Sequence, residues 1–267
     1  MRTLVHLSDL HFGRIAPAVL QPLRRCLEEI APDLVVVSGD LTQRARASQF
    51  RAARAYLDTL PQPQLVVPGN HDVPLYNVAA RFLAPLRNYR RIVTGDLEPA
   101  FVDEEVAVVG VNTARSFTFK GGRINEEQVA AVKARLCALP ETVTKVLVTH
   151  HPFDVPEHQD EDGHLVGRAR MAMQQLASCG ADLLLAGHLH EAHVGHTANR
   201  YSIPGLSALI VQAGTATSTR TRETTNSFNL LHLDGRDIAV QSFQWNGSDF
   251  ALASTQAFRH GDHGWED

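Results

Sequence analysis

The chain has 267 residues, of which 44% are hydrophobic and 20% charged, and this is ordinary for a globular protein with one large core. The net charge of −4 and the pI of about 6.4 exclude a global basic excess, so we expect no stable nucleic-acid binding. Three cysteines (Cys26, Cys137 and Cys179) without CxxC spacing predict no disulfide framework, and no apolar run approaches the roughly 18 residues of a membrane helix. We therefore expect a cytoplasmic protein without a membrane span.

The first two thirds of the chain alternate predicted strands with predicted helices. The apolar run at 34–38 is typical of a strand buried on both faces, and Asn125 with Gln128 forms the capping signature of a helix. The predicted strands are 3–8, 34–38, 65–67, 92–94, 100–102, 106–111, 146–149 and 183–186. The predicted helices are 18–30, 48–60 with a cap at Ser48, 79–86, 125–139 and 169–178.

The last third of the chain changes character, because strands follow one another there with no predicted helix between them. These strands are 193–197, 201–203, 206–212, 227–233 and 238–245. Together the two parts predict a single α/β domain at 1–247, with two packed sheets and helices on the outside. The polar segment 248–267 is predicted to be a loosely held C-terminal tail.

Residues that can bind metal follow five of the predicted strands. The five motifs are Asp-Leu-His at 9–11, Gly-Asp at 39–40, Gly-Asn-His-Asp at 69–72, His-His at 150–151 and Gly-His-Leu-His at 187–190. Each alone has an ordinary alternative, such as a turn aspartate or a surface histidine. Five in this order at strand ends indicate one shared site, and residues two apart on an extended chain, such as Asp9 and His11, are expected to point the same way.

The residue types suggest separate roles within this site. The Asp40 carboxylate has two oxygens and can reach two ions, and Asn70 supplies a neutral oxygen ligand. His71 follows Asn70 directly, so it is better placed to reach outward to a substrate than to bind the same ion. Asp72 could hold one ring nitrogen of His71 and thereby fix its tautomer.

The five motifs together resemble the calcineurin-like metallophosphoesterase superfamily, over about 70% of the chain. The resemblance implies a four-layer αββα sandwich of two mixed sheets flanked by helices, and His71 as a catalytic residue that binds no metal. It implies His150 rather than His151 as a ligand, because the family ligand is usually the first histidine of such a pair. The implied ligands are Asp9, His11, Asp40 and His190 on one ion and Asp40, Asn70, His150 and His188 on the other, with Asp40 bridging.

The residues around the first three motifs (7–13, 38–42 and 67–72) resemble the bacterial branch that contains cyclic-nucleotide phosphodiesterases and glycerophosphodiesterases. This resemblance implies a phosphodiesterase for small, nucleotide-like diesters that uses attack by a metal-bridging hydroxide. Two divalent ions, two aspartates and a hydroxide leave a charge of about +1, which attracts a phosphodiester. Donors without thiolate suit two divalent or mixed-valence ions of Mn, Fe or Zn.

Several alternatives remain open at this point. Arg44, Arg220 and Arg222 could hold a second substrate phosphate or a sugar, or they could form a solvated face. A UDP-2,3-diacylglucosamine-type pyrophosphohydrolase would need an apolar cleft or lid, and the sequence has no obvious insertion rich in large apolar residues. A phosphomonoesterase stays possible, as does a homodimer. A non-catalytic scaffold, such as a retromer subunit, is disfavoured because every ligand and the catalytic histidine are present.

Overall fold

The computed structural model describes residues 1–156, 164–201, 203–221, 225–261 and 264–266. The strands are β1 (Arg2–Leu7), β2 (Leu34–Val37), β3 (Gln64–Val66), β4 (Ala100–Val102), β5 (Val106–Gly110), β6 (Thr144–Val148), β7 (Leu183–Ala186), β8 (His193–His196), β9 (Leu209–Gln212), β10 (Ser227–Asp234), β11 (Asp237–Trp245), β12 (Phe250–Gly261) and β13 (Gly264–Glu266). The helices are α1 (Pro17–Ile30), α2 (Ala47–Leu57), α3 (Val78–Leu83), α4 (Arg87–Ile92), α5 (Glu126–Leu136), α6 (Ala169–Leu176) and α7 (Thr197–Arg200).

The strands form two mixed sheets. The first has the order β13-β12-β11-β10-β1-β2-β3, and the second has the order β4-β5-β6-β7-β9-β8. In the first sheet β1, β2 and β3 are parallel, and β10 to β13 add an antiparallel half. In the second sheet β5, β6, β7 and β9 are parallel, with antiparallel strands at both edges. The parallel strands place their carboxyl ends at one edge of each sheet, where polar residues follow them.

The four-layer αββα sandwich predicted from the sequence is confirmed. Successive residues of β2 face two different cores, one between the two sheets and one between the first sheet and its helices. Val36 faces the second sheet and joins a core cluster with Val146 and Leu185. Val35 faces the opposite way, toward the cluster that contains Leu27 of α1. Helices α5 and α6 cover the outer face of the second sheet in a third cluster. Strands buried on both faces explain the unbroken apolar run at 34–38.

The prediction of a loosely held tail after residue 247 is wrong. Most of this segment forms β12 and β13, which extend the first sheet by pairing with β11 and with each other. Phe250, Phe258 and Trp265 are buried, but the seven residues from 251 to 257 are exposed. The segment looked like a polar tail because it is held mainly by backbone pairing, and only its ends carry buried aromatic rings.

Three local predictions also differ from the structure. Helix α2 begins before Ser48, and the Gln49 side chain accepts hydrogen bonds from the backbone NH groups of Arg44 and Arg46, so Ser48 is not the cap. Residues 92–94 are not a strand, because Tyr89 packs into the core from helix α4. A short helix, α7, precedes Tyr201 where sequential strands were expected. The predicted cap of α5 by Asn125 and Gln128 is confirmed.

The structure pairs Cys137 and Cys179 in a disulfide, which joins the end of α5 to the turn after α6. The expectation of no disulfide is therefore wrong. The inference of a reducing compartment, which rested on unpaired cysteines, loses its support. This pair could not be predicted from the sequence, because the two cysteines are 42 residues apart and meet only in the folded structure. Among the described helices, none has the length and apolarity needed to cross a bilayer.

Candidate metal centre

The predicted ligands converge where strands of both sheets end. The segments after β1, β2 and β3 approach those after β6 and β7 from the facing sheet, so residues distant in sequence share one site. The donor atoms of Asp9, His11, Asp40 and His190 all lie within 4.8 Å of one another. The same spacing holds for His150, His151 and His188.

The first of these groups has its donor atoms close and buried. The Nε2 atoms of His11 and His190 are 3.1 Å apart. The Asp9 Oδ1 atom lies 3.1 Å from His190 Nε2 and 3.3 Å from His11 Nε2, and Asp40 Oδ2 lies 3.7 Å from His11 Nε2. Two imidazole nitrogens and two carboxylate oxygens therefore point at one small volume.

The second group is completed by Asn70 and by the other oxygen of Asp40. The Asn70 Oδ1 atom lies 3.0 Å from His150 Nε2 and 3.2 Å from His188 Nδ1. Asp40 Oδ1 is 3.4 Å from His150 Nε2. The two oxygens of Asp40 thus face the two donor groups, as the sequence-based assignment of a bridging carboxylate requires.

His150 and His151 differ in what their ring nitrogens do. His150 Nδ1 donates to the Ser38 carbonyl at 2.8 Å, which leaves Nε2 directed at Asn70 and Asp40. Both nitrogens of His151 are occupied, at 2.8 Å from Thr113 Oγ1 and 2.9 Å from the Lys120 carbonyl. This geometry favours His150 as the ligand, and His151 packs beside it.

Among the described residues, the basic side chains that pair with the two buried carboxylates are histidines. Asp9 and Asp40 are fully buried, and neither forms an ion pair with an arginine or lysine of the described residues. The Asp9 Oδ1 atom also lacks a hydrogen bond of normal geometry. An uncompensated buried charge is costly, so this donor set fits divalent cations with oxygen and nitrogen ligands.

His150 and His190, whose pKa values are raised by the neighbouring aspartates, carry balancing charge when protons take the place of cations. Burial alone would raise the pKa of Asp9, but His190 and His11 lower it well below its usual value. Burial would lower the pKa of His150, yet the neighbouring Asp40 raises it to about 9. Cation binding would displace such protons, because metal ligands bind as neutral imidazole and ionised carboxylate.

The backbone at the ligands is strained in a way the sequence did not predict. Eight non-glycine residues in the described chain have a positive φ between 48° and 74°, and five of them are predicted ligands. These five are Asp9, His11, Asp40, His188 and His190. The left-handed region is uncommon for residues other than glycine, although aspartate and histidine enter it more often than most, and strain of this kind concentrates at functional sites. Asp9 and His11 therefore converge through left-handed turns after β1, and the expected extended geometry is wrong.

Two glycines make room for this arrangement. Gly39 has a φ of +96°, and a Cβ atom built on it would lie 2.7 Å from His150 Nδ1. A Cβ atom on Gly69 would lie 2.2 Å from Asp40 Oδ1. The glycines of these motifs thus allow the backbone to approach ligand side chains that any other residue would displace.

His71 lies beside the first donor group but is held by other residues than predicted. Its ring is 4.9 Å from that of His11. Its Nδ1 donates to the Gln43 carbonyl at 2.9 Å, and its Nε2 accepts from the Arg220 guanidinium at 2.9 Å. Asp72 makes no contact with His71 there, so the prediction that this carboxylate fixes the His71 tautomer is wrong.

Asp72 instead joins the loops after β2 and β3. Its carboxylate accepts hydrogen bonds from the backbone NH groups of Leu41, Thr42 and Gly69 at 2.9–3.1 Å, and from the Thr42 hydroxyl. The acid is therefore a positioning residue for the segments that carry Asp40 and His71. A catalytic role for Asp72 itself has no support in these contacts.

The predicted substrate-binding arginines occupy different places. The Arg220 side chain contacts His71, and its carbonyl accepts a hydrogen bond from His190 Nδ1 at 2.8 Å. Arg44 lies 3.4 Å from His71 Nδ1, with its guanidinium over the Tyr76 ring. Arg222 lies outside the described residues. The sequence missed the carbonyls of Ser38, Gln43 and Arg220 as orienting groups, because a backbone acceptor leaves no signature in residue type.

Comparison with known proteins places this site among phosphoesterases. The sequence model of the family described as calcineurin-like phosphoesterase matches residues 2–192. A probable glycerophosphodiester phosphodiesterase GpdQ from Arcobacter nitrofigilis is 25% identical over 201 residues, which cover 70% of this chain and 71% of that protein. The 3′,5′-cyclic adenosine monophosphate phosphodiesterase CpdA of Escherichia coli (strain K12) is 24% identical over 175 residues, which cover 65% of this chain and only 59% of CpdA.

The solved structures extend the likeness to the whole fold. Purple acid phosphatase PPD1 from yellow lupin superimposes with a TM-score of 0.71 over 96% of this chain and 53% of that one. Its sequence identity is 12%, so the likeness concerns the fold alone. The likeness of fold thus extends over nearly the whole of this chain.

Proposed function

The chain belongs to the calcineurin-like phosphoesterase family, and we therefore propose that it is a two-metal phosphodiesterase for small, nucleotide-like or cyclic-nucleotide phosphodiesters. The observation that carries this proposal is the position of Asp40, whose two oxygens face two separate groups of donors. The printed activities of GpdQ and CpdA support a diester as the substrate. A cytoplasmic location remains a prediction.

In this proposal Asp9, His11, Asp40 and His190 hold one ion, and Asp40, Asn70, His150 and His188 hold the other. When bound, two divalent ions supply a nucleophile from water at neutral pH and neutralise charge on the phosphoryl oxygens. The protein holds the donors in place through carbonyls that accept from the second ring nitrogens of His150 and His190. Manganese, iron and zinc all suit this set of nitrogen and oxygen ligands.

His71 acts on the substrate in this proposal without binding metal. The Gln43 carbonyl accepts from Nδ1, so this nitrogen keeps its proton and Nε2 is the atom that exchanges one. In the structure Nε2 accepts from Arg220. A bound phosphodiester would take this arginine as a partner for its own oxygen, and a protonated Nε2 could then donate to the leaving oxygen.

Hydrolysis of bis-(p-nitrophenyl) phosphate by protein reconstituted with Mn²⁺ tests the reaction class. We expect turnover with the metal and none after chelation, together with two metal equivalents per chain by elemental analysis. The Asp40→Ala variant should lose both metal and activity. Binding of only one equivalent at saturating Mn²⁺ would refute the assignment of two metal ions. Protein that binds two equivalents but hydrolyses no substrate would refute the proposal that it is an enzyme.

A substrate panel then tests the finer assignment. We expect the highest kcat/KM among cyclic nucleotides and glycerophosphodiesters, which are the substrate classes that the names of the relatives state. Preference for p-nitrophenyl phosphate would indicate a monoesterase. Preference for a UDP-sugar lipid would indicate a pyrophosphohydrolase and would replace the proposed substrate class.

A further inference from the structure

A group of large apolar side chains stands exposed beside the metal centre, and we call it the aromatic rim. Its members are Tyr76, Val78, Phe82, Leu83, Phe117 and Phe119. Phe117 is 86% exposed and Leu83 85% exposed, and the Phe82 and Phe117 rings are 5.2 Å apart. Contiguous exposed apolar groups of this kind mark interaction sites, because water contact with them is unfavourable.

The two segments that carry the aromatic rim are basic, although the whole chain has a net charge of −4. Residues 73–95 and 112–125 contain seven arginines and lysines and no aspartate or glutamate. The exposed basic residues are Arg87, Arg90, Arg91, Lys120 and Arg123. Within the described residues, none of these five side chains forms an ion pair. The surface therefore offers uncompensated positive charge around apolar side chains.

Arg81 fastens the two segments into one surface. Its buried guanidinium donates to the carbonyls of Ser116 and Thr118 at 2.6 Å and to the carbonyl of Pro74 at 2.9 Å. It also lies 4.5 Å from the centroid of the Phe119 ring. The Arg81 guanidinium thus holds α3 and the loop after β5 in a defined arrangement, so the rim residues on both form one ordered surface.

The rim adjoins the ligands of the second metal position. The Phe119 carbonyl lies 3.5 Å from Asn70 Nδ2, and the Lys120 carbonyl is in contact with His151. Between the two basic segments lies a cavity of about 690 Å³ whose walls include Leu86, Leu97 and the arginines at 90, 91 and 115. Whatever covers the rim therefore also lies next to Asn70 and His151. An anionic group could contact the exposed Arg90 and Arg91 beside the cavity.

Charge decides between the possible partners. A second copy of the chain docked through the rim about a two-fold axis would bring two sets of these five cations, unpaired within the described residues, to one interface, which is unfavourable. A partner with both apolar and negatively charged groups satisfies the rim and its surroundings together. We propose that the aromatic rim docks the protein on an anionic phospholipid membrane, with aromatic rings in the interface and the basic residues at the headgroups. This inference goes beyond the proposed function, because it concerns where the enzyme works.

Vesicle binding tests the proposal without any need for activity. We expect the protein to float with phosphatidylcholine vesicles that contain about one third phosphatidylglycerol, and to stay behind with phosphatidylcholine alone. Binding should weaken in 1 M NaCl, where the screening length falls to about 3 Å. Absence of binding to anionic vesicles at low salt would refute the proposal and leave the proposed chemistry untouched.

Variants separate the rim from nonspecific adhesion. Arg90→Gln combined with Arg91→Gln should lower the partition coefficient about 25-fold, at about fivefold for each charge. Leu83→Ser combined with Phe117→Ser should lower it as well. The matched controls are Arg24→Gln with Arg25→Gln on α1 and Leu252→Ser on β12, which should bind as wild type does.

Two further measurements complete the test. Thermal unfolding of each variant checks that the fold persists, since only variants that unfold as wild type does are compared. Light scattering gives the mass in solution. Equal binding by rim variants and controls overturns the proposal, and so does a dimer that Phe117→Ser dissociates, because the second copy would then be the occupant.

Discussion

At the scale of single residues, the proposed ligands depend on neighbouring residues that are not themselves proposed ligands. The backbone at Gly69 passes so close to Asp40 that a methyl group would stand in the place of the carboxylate. The carbonyls of Ser38 and Arg220 orient His150 and His190 through their second ring nitrogens. A small change at such a position should therefore affect the metal without removing a ligand.

Gly69→Ala tests this dependence. The new Cβ atom would overlap the carboxylate that faces both donor groups, so we expect metal affinity to fall about 10–100-fold, as for other disruptions of ligand support. Titration with Mn²⁺ followed by elemental analysis measures the effect. Gly95→Ala is the matched control, because a Cβ atom there would meet nothing within 4 Å. Two tightly held equivalents in Gly69→Ala would show that the close approach is unimportant.

His71→Ala separates catalysis from metal binding. The ring touches the first donor group only at its edge and is held by Gln43 and Arg220, so metal content should stay near wild type. Turnover should fall roughly 10²–10⁴-fold if His71 is the general acid. His232→Ala, a substitution on β10, controls for loss of a histidine elsewhere. Wild-type turnover in His71→Ala would remove this residue from the mechanism.

Asp182 gives a pH dependence that can be measured away from the metal centre. Burial raises the pKa of Asp182 to about 6, although the Lys145 backbone NH donates to its carboxylate. A raised pKa favours the protonated acid in the fold, so this stabilisation is complete below pH 4 and is lost as pH rises through about 6. In urea unfolding, the stability of Asp182→Asn relative to wild type should therefore increase from about pH 4 to about pH 6 and level off above it. The exposed Glu141→Gln should show no such trend.

At the scale of helices and strands, the sequence was most informative where burial and local capping agreed. The strand at 34–38 and the helix cap at Asn125 were both predicted. A continuous apolar run and a capping side chain involve only a few neighbouring residues, so both can be recognised in the sequence. Helix α4 was missed, since Tyr89 is fixed by the core it enters and not by its sequence neighbours. Strand β12 was missed because pairing with β11 holds residues whose side chains face water.

Phe258→Ala tests whether the C-terminal strands belong to the core. The ring is buried in the cluster between the sheets, so its removal should lower the free energy of unfolding by about 3–5 kcal/mol. Urea denaturation measures this value. Leu252→Ala on the same strand is exposed and should change stability by no more than about 0.5 kcal/mol. A small effect of Phe258→Ala would indicate that the C-terminal strands contribute little to the stability of the core.

At the scale of the whole molecule, the candidate metal centre joins the two sheets. Asp9, Asp40 and Asn70 follow strands of the first sheet, and the histidines at 150, 188 and 190 follow strands of the second. The motifs predicted this meeting, because residues at the carboxyl ends of parallel strands share one edge. The left-handed ligands and the place of Asp72 could not be predicted, since they depend on contacts between segments far apart in sequence.

Metal binding should therefore stabilise the molecule as a whole. Each ion that binds only the folded state adds about 2.7 kcal/mol to the free energy of unfolding at 100 times its Kd. We expect Mn²⁺ to raise the Tm and chelation to lower it, as measured by differential scanning calorimetry. Asp40→Ala should abolish the response. A Tm that does not change on addition of Mn²⁺ would mean that the charge of the buried carboxylates is neutralised in another way.

The left-handed backbone at five ligands also bears on how such a protein could change over generations. Aspartate and histidine adopt these conformations more often than most residues but still at a cost, whereas glycine adopts them freely. If a related chain no longer bound metal here, glycine at positions 9, 11, 40, 188 and 190 would relieve this backbone strain and stabilise its fold. Glycine at these positions in a related chain would then indicate a site that no longer binds metal and a fold that is more stable for it.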